Sequence, residues 1–144
     1  MIEGVGKVVI KAEPQTVLEF VLDLERYRQV DTKIGKIKSV ERDGNTYTAR
    51  FGGKLRGIPG PALTYTITLM PWTRLDVAGR NAWLLDFQGS FACAPTGDGV
   101  EVEHVERFAF KPPAKWLIEP WARDWLRKDT QAEMERMKAA IEGS

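Results

Sequence analysis

Residues 100–110 read Val-Glu-Val-Glu-His-Val-Glu-Arg-Phe-Ala-Phe, in which apolar and polar side chains alternate. Successive side chains of a strand point to opposite faces. One face therefore carries Val100, Val102, His104, Glu106, Phe108 and Phe110. This is the more apolar face, and it is predicted to turn inward. A sealed apolar core penalises an unpaired titratable group, whereas an interior that holds water or a ligand accommodates one. His104 and Glu106 therefore predict an internal cavity with polar groups in its wall.

The composition favours one soluble globular domain. The chain has 144 residues, of which 43% are hydrophobic, and a formal net charge of +1. This balance offers no general attraction for nucleic acid, which favours a strongly basic face. With Cys93 as the only cysteine, no intrachain disulfide can form. No targeting pattern opens the chain and no apolar run approaches a membrane span. We expect a cytoplasmic protein without stable membrane insertion, either a monomer or a homodimer.

The order of elements predicts an α+β fold built as β-α-α-β6-α in a single domain over residues 1–144. A first strand runs near Gly4–Lys11, and Pro14 opens a short amphipathic helix that a second helical turn follows. Residues 34–110 alternate and are broken by turn signals, which indicates an antiparallel meander of strands. The remainder after residue 113 has helical spacing to about Glu142. Pro120 predicts either a kink in this helix or a start near it.

Two segments of the meander have specific predictions. Residues 53–61 contain three glycines and two prolines, a composition typical of irregular backbone. This segment is predicted to be either a binding loop or lid, or simply the tip of a long hairpin. A turn is predicted at Gly79-Arg80-Asn81, followed by a strand from Trp83 to Ala94 with Trp83 on its apolar face.

Short segments spread over nearly the whole chain share the pattern of one superfamily. They are Ile10–Pro14, Leu22–Tyr27, Tyr65–Pro71, Arg74-Leu75, Gly89–Phe91, Gly97–Gly99 and the closing amphipathic helix. The chain resembles the START-like (SRPBCC) superfamily, and most closely its bacterial polyketide cyclase/dehydrase-like and coenzyme-Q-binding-like members. The resemblance implies a helix-grip fold, in which a curved antiparallel sheet wraps a long C-terminal helix around a hydrophobic cavity. One departure is that residues 27–31 lack the tryptophan that many relatives carry there.

The sequence supplies few catalytic signatures. It contains no phosphate-binding glycine loop, no serine elbow and no zinc-ligand spacing, so we expect neither a metal nor a cofactor. The predicted ligand-binding residues are His104, Glu106, Tyr65, Phe87, Phe108, Trp125, Thr130 and Met134. In an alternative interpretation these polar groups are structural. Glu106 then pairs with a buried arginine such as Arg50, and His104 hydrogen-bonds a backbone carbonyl. Asp31 is expected to be a solvated or capping residue.

Three functions follow from these patterns. The first is the binding or transport of a small hydrophobic ligand, such as a lipid, isoprenoid or polyketide-like molecule, in the internal cavity. The second is an enzyme of the polyketide cyclase/dehydratase type, with His104, Glu106 and Tyr65 as acid–base groups. The third is a regulatory or toxin-like interaction protein. The superfamily includes carriers, receptors and enzymes, so its fold does not decide among them.

Overall fold

The computed structural model describes residues 1–143 and has the predicted element order. The elements are β1 (Ile2–Ile10), α1 (Pro14–Leu22), α2 (Leu24–Tyr27), β2 (Ile34–Asp43), β3 (Thr46–Leu55), β4 (Ile58–Met70), β5 (Arg74–Asn81), β6 (Leu85–Thr96), β7 (Gly99–Phe110) and α3 (Ala114–Glu142). The predicted α+β helix-grip class is therefore confirmed. Within residues 1–143, no helix is both long and apolar enough to cross a bilayer.

The seven strands form one antiparallel sheet in the order β1-β7-β6-β5-β4-β3-β2. Strands β2 to β7 follow one another as hairpins, and β1 adds to the edge beside β7. The register leaves room around the two titratable residues of β7. Glu106 lies between Gly4 and Gly89 on the adjacent strands, and His104 lies between Gly6 and Phe91.

Helix α3 packs closely on β1 because β1 carries glycine where the two elements meet. A Cβ atom at Gly6 would lie 2.6 Å from the carbonyl oxygen of Thr130, closer than real Cβ contacts allow. The predicted apolar stripe of α3 is buried there and includes Leu126, Thr130 and Met134. Since α3 also packs against β7, most of the concave face between β3 and β6 remains free of this helix.

Helix α3 begins at Ala114, so of the two alternatives predicted at Pro120, a helix start near it is wrong. Pro120 lies inside the helix. The missing N–H of a helical proline would have bonded the carbonyl of residue i−4, here Trp116. The Trp116 side chain is exposed, and the lost hydrogen bond therefore falls at the open first turn of the helix.

Residues 53–61 form a hairpin tip and not an irregular loop. Strands β3 and β4 remain paired as far as Leu55 and Ile58, and a two-residue turn joins them. The turn residues Arg56 and Gly57 have φ angles of 51° and 83°, as tight hairpin turns require. The pairing of β4 with β5 begins at Thr64, so the β3–β4 tip extends beyond β5. Proline is tolerated in such a segment, which has a strand on one side only.

The predicted turn at residues 79–81 is also wrong. Strand β5 continues through Asn81, and the chain reverses at residues 82–84 before β6 begins at Leu85. Trp83 therefore lies in the connecting turn, where it is 90% exposed, and not on an apolar strand face.

Candidate functional site

A cavity of about 430 Å³ lies between the concave face of the sheet, the first turns of α3 and the helices α1 and α2. This volume is typical of small-molecule sites. A continuous series of aromatic rings lines one side of it. Phe51 stacks on Tyr65 at 4.1 Å, Tyr65 meets Phe87 edge-on at 5.9 Å, and Phe87 lies 4.9 Å from Phe108. This wall of the cavity is therefore mostly aromatic and apolar.

The cavity also meets a buried ring of four charged side chains, three of which, Lys33, His104 and Glu106, line it. We call this part of the cavity its charged end. Glu106 places Oε1 3.0 Å from His104 Nε2 and Oε2 3.3 Å from Lys33 Nζ. Glu133 places Oε1 2.7 Å from Lys33 Nζ and Oε2 3.2 Å from His104 Nε2. Positive and negative groups alternate around the ring. All four side chains are less than 10% exposed.

Further polar groups surround this ring. Lys33 Nζ also lies 2.9 Å from Asp31 Oδ1 and 3.2 Å from Asp129 Oδ2. Asp129 in turn pairs with Arg136 at 3.2 Å. The hydroxyl of Tyr27 donates to Glu133. The ring is thus held by α2, by the turn before β2, by β7 and by α3, and it ties these elements together.

The contacts fix the protonation of His104. Nδ1 lies 2.9 Å from the carbonyl oxygen of Ser90, which can only accept a hydrogen bond, so Nδ1 carries a proton. Nε2 faces two carboxylates, although neither oxygen lies close to the line of its N–H bond. Burial alone would lower the pKa of His104, but Glu133 and Glu106 outweigh it and raise the pKa to about 10. His104 is therefore an imidazolium at neutral pH.

The pKa values of the neighbours follow from the same competition. Burial opposes the charge of Lys33, but Asp31, Glu106, Glu133 and Asp129 together raise the pKa of this ammonium well above its ordinary value. Burial raises the pKa of Asp31, and Glu133 adds to the increase while Lys33 opposes it. Lys33 is thus a fixed cation whose protons are shared among carboxylates.

The charged end carries more acidic than basic groups. The four carboxyl groups Asp31, Glu106, Asp129 and Glu133 contact the three cations Lys33, His104 and Arg136.

Tyr65 also lines the cavity, but it lies outside this ion network. Its hydroxyl has no protein hydrogen-bond partner within residues 1–143, and burial raises its pKa, with smaller contributions from Asp31 and Glu106. This hydroxyl is the polar group that a ligand can reach without breaking the ring.

The ring also includes a set of possible metal ligands. One donor atom each from His104, Glu106 and Glu133 lies within 4.8 Å of the others. The ammonium of Lys33 contacts both of these carboxylates. A metal ion would therefore have to displace Lys33, and the arrangement fits an internal ion network better than a metal centre.

The eight predicted site residues divide into two groups. His104, Glu106, Tyr65, Phe87 and Phe108 all line the cavity. Trp125, Thr130 and Met134 are not among its lining residues. Trp125 is half-buried against the core, and Thr130 and Met134 lie where α3 packs against the glycines of β1. Whether the first five bind a ligand stays a prediction.

Three predictions concern the surroundings of individual polar residues. Glu106 does not pair with Arg50, which instead donates to Thr64 on the exposed side of the sheet. Asp31 is 7% exposed and belongs to the ion network, so it is not a solvated residue, but its carboxylate accepts from the backbone N–H of Lys33 at 3.0 Å and thus caps this turn. The predicted hydrogen bond from His104 to a backbone carbonyl is present, with Ser90 as the acceptor.

The sequence reasoning missed Lys33 and Glu133. Glu133 had a visible signal, because it lies at helical spacing within the stripe formed by Leu126, Thr130 and Met137. A carboxylate at such a position indicates a buried partner. Lys33 lies in a turn without periodicity, so no pattern in the sequence could have placed it.

Comparisons with known proteins agree with this architecture. The sequence pattern of the family described as "Polyketide cyclase / dehydrase and lipid transport" matches residues 1–142. No curated protein matches the chain at the level of sequence.

Solved structures with the same fold include the protein TTHA0849 from Thermus thermophilus, with a TM-score of 0.80 and 15% identity over 98% of this chain and 97% of that one. A START superfamily protein from Mycobacterium smegmatis has a TM-score of 0.76 and 15% identity, over 98% and 97% of the two chains. The two-domain aromatase/cyclase StfQ of the steffimycin pathway has a TM-score of 0.76 and 14% identity, over 99% of this chain and 51% of that one.

Proposed function

This chain belongs to the polyketide cyclase/dehydrase and lipid transport family, and on that basis we propose that it binds a small hydrophobic molecule in the cavity between its sheet and α3. The observation that carries the proposal is the contrast between two parts of the cavity lining. An aromatic series from Phe51 to Phe108 forms one wall, while the charged end and the Tyr65 hydroxyl offer polar groups. A molecule with an apolar body and one polar group is complementary to both.

The charge of the charged end restricts that polar group. Because carboxyl groups outnumber cations around Lys33, a carboxylate or phosphate brought into this end would meet like charge at low dielectric. A neutral hydroxyl or phenol can instead donate to a carboxylate such as Asp31 and accept from Tyr65. The ligand class that we propose is therefore a hydrophobic alcohol or phenol, in preference to a fatty acid.

The proposal is tested by filling the cavity. Val77 lines the cavity and lies directly opposite Gly89, over which the Phe87 ring lies, with Cζ 3.0 Å from the position of an added Cβ. The substitution Val77→Phe adds a further ring to this part of the cavity and reduces its free volume. Titration calorimetry with 2-naphthol as the probe should give binding to the wild type and at least about tenfold weaker binding to the variant, a difference of about 1.4 kcal/mol.

The matched control is Val9→Phe, which adds the same atoms on the outer face of β1, where Val9 is exposed. This variant should bind 2-naphthol like the wild type. Binding of 2-naphthoate, which has the same ring system and an anionic head, should be weaker than that of 2-naphthol. Equal binding by Val77→Phe and the wild type would contradict the cavity as the site, and stronger binding of the naphthoate would contradict the proposed head group.

A second candidate function is acid–base conversion of a polyketide-like substrate. The observation that favours it is that Tyr65, His104 and Glu106 all line one cavity, together with the fold shared with an aromatase/cyclase. Turnover of an aromatic polyketide by the wild type, lost in both His104→Ala and Glu106→Gln although each variant remains folded, would support this role. Unchanged turnover in both variants would remove these residues from the mechanism.

A further inference from the structure

Large apolar side chains face solvent on three segments that also contribute lining residues to the cavity. The exposed fractions are 60% for Ile58, 90% for Trp83, 69% for Trp116, 76% for Leu117 and 39% for Trp121. Folded proteins expose single apolar side chains routinely, but a group of them beside one cavity indicates an interaction surface.

We call these five side chains the rim of the cavity. Ile58 lies at the β3–β4 tip, Trp83 in the turn between β5 and β6, and the other three on the first turns of α3. Ile58, Leu117 and Trp121 line the cavity itself, and Leu84, which follows Trp83, does so as well.

Hydrogen bonds tie the three segments together. Arg56 at the hairpin tip donates to the carbonyl of Trp121 at 2.9 Å, and its guanidinium lies 4.9 Å from the centre of that indole ring. Lys111, which precedes α3, donates from its backbone N–H to Leu84 at 2.7 Å and from Nζ to Ala82 at 2.8 Å. The apolar rim is therefore a preformed surface.

The rim is also basic. Arg56 and Lys111 use their side-chain charges on backbone carbonyls, and no carboxylate within residues 1–143 neutralises either. A buried carboxylate beneath the rim, Glu119, is shared by the N-terminal amine at 2.6 Å, Lys115 at 3.1 Å and Arg123 at 3.9 Å. The chain as a whole carries a charge of only +1, so this positive charge is a local property of the rim.

From this combination we propose that the rim docks on the surface of an anionic lipid bilayer. Tryptophan is suited to the headgroup region because its ring is apolar and its N–H can hydrogen-bond. Lysine and arginine near anionic lipids add electrostatic attraction. Docking by this rim would place the cavity opening against the acyl region, and a hydrophobic ligand would then pass between bilayer and cavity without crossing water. The contact is peripheral and reversible, because only side chains of the rim enter the headgroup region.

Co-sedimentation of the purified protein with vesicles tests this docking. The wild type should bind vesicles of phosphatidylcholine with about 30% phosphatidylserine more tightly than vesicles of phosphatidylcholine alone, and high salt should weaken the binding. The double variant Trp83→Ser/Trp116→Ser should lose at least about tenfold in partition. A charge variant, Arg56→Gln/Lys111→Gln, keeps hydrogen-bonding side chains but removes two positive charges, and it should lose most of the preference for anionic vesicles.

The control is Val5→Ser/Val9→Ser, which removes exposed apolar side chains from the outer face of β1 and should bind vesicles like the wild type. Vesicle binding by the tryptophan variant equal to that of the wild type would overturn the proposal. A wild type that stays in the supernatant at low salt would also overturn it and would leave the rim to a protein partner. Binding of 2-naphthol in vesicle-free solution is measured in parallel, so a failure of docking remains distinguishable from a failure of the ligand proposal.

Discussion

Lys33 is the residue on which the buried ion network depends most. Its ammonium touches four carboxylates and is 7% exposed. Removing one partner of a buried ion pair leaves an uncompensated charge in low dielectric, which costs far more than the pair contributes when complete. Lys33 therefore decides whether four acidic groups can remain buried together.

We predict that Lys33→Met lowers the free energy of unfolding by about 3–5 kcal/mol, measured by urea denaturation. The double variant Lys33→Met/Glu133→Gln should recover part of this loss, because it removes one of the unpaired carboxylates. Lys36→Met, at an exposed position three residues along, is the control and should leave stability unchanged. A Lys33→Met protein as stable as the control would show that the network does not hold this end of the cavity.

His104 makes stability depend on pH. Its pKa in the folded protein is about 10, above the ordinary value of 6.5, so the stabilisation is complete below about pH 6.5. As the pH rises towards 10, the folded state retains a proton that the unfolded chain has released. The free energy of unfolding should therefore fall by about 1.4 kcal/mol per pH unit between pH 7 and pH 9.

Denaturation curves of the wild type and His104→Gln across this range provide the measurement. Because His104 is the only histidine, the variant should lose the slope. Burial raises the pKa of Cys93 to about 11, so its thiol adds a similar loss only above about pH 9, and Cys93→Ser removes that contribution. The same slope in the wild type and His104→Gln would rule out the imidazolium.

At the scale of elements, the position of α3 is set by the glycines of β1. Gly4 and Gly6 allow the helix backbone to lie directly on the strand, with Thr130 at the point of contact. Helix α3 is therefore held towards one side of the sheet. This placement is what leaves the concave face of β3 to β6 open as a cavity.

We predict that Gly6→Ala destabilises the protein by about 1–3 kcal/mol, since its Cβ would lie 2.6 Å from the Thr130 carbonyl and α3 would have to shift. Thermal unfolding measures the loss. Gly97→Ala is the matched control, because no atom lies within 4 Å of its added Cβ, and it should be neutral or slightly stabilising. Equal stability of the two variants would mean that β1 and α3 do not pack closely.

The helices and strands show which parts of the fold can be predicted from sequence patterns. Alternation and helical spacing predict the order of elements correctly, because each element buries one regular face. At residues 53–61 glycine and proline suggest irregular backbone, which is wrong because the two strands remain paired around Arg56-Gly57, whereas the alternative of a long hairpin tip is confirmed. At Pro120 they predict either a kink or a helix start, and the helix start is wrong because α3 begins at Ala114 and continues through the proline.

For the site, the patterns find the groups that lie on regular faces and miss those that do not. The alternation of β7 predicts that His104 and Glu106 face inward. Their partners Lys33 and Glu133 come from a turn and from a distant helix, and pairing at that separation is decided only by the tertiary fold. The helical spacing that predicts Trp125, Thr130 and Met134 as site residues does not say whether α3 meets the cavity or β1.

At the scale of the whole molecule, different parts of the cavity have different chemistry. Buried charges line the charged end of the cavity, aromatic rings form its walls, and an apolar, basic rim lies on segments that contribute to its lining. Burying the ion network costs free energy, but the network holds together the elements that meet at the charged end. The rim exposes tryptophans that folding alone does not require. Both features are explained together if a hydrophobic molecule enters at the rim and stops at the charged end.

A crystal structure of the protein with 2-naphthol tests this account most directly. We predict electron density for the ring system between Phe87 and Phe108, with its hydroxyl within hydrogen-bond distance of the Tyr65 hydroxyl or the Asp31 carboxyl group. Density for naphthol only on the outer surface, or a cavity filled by the protein's own side chains, would contradict the account.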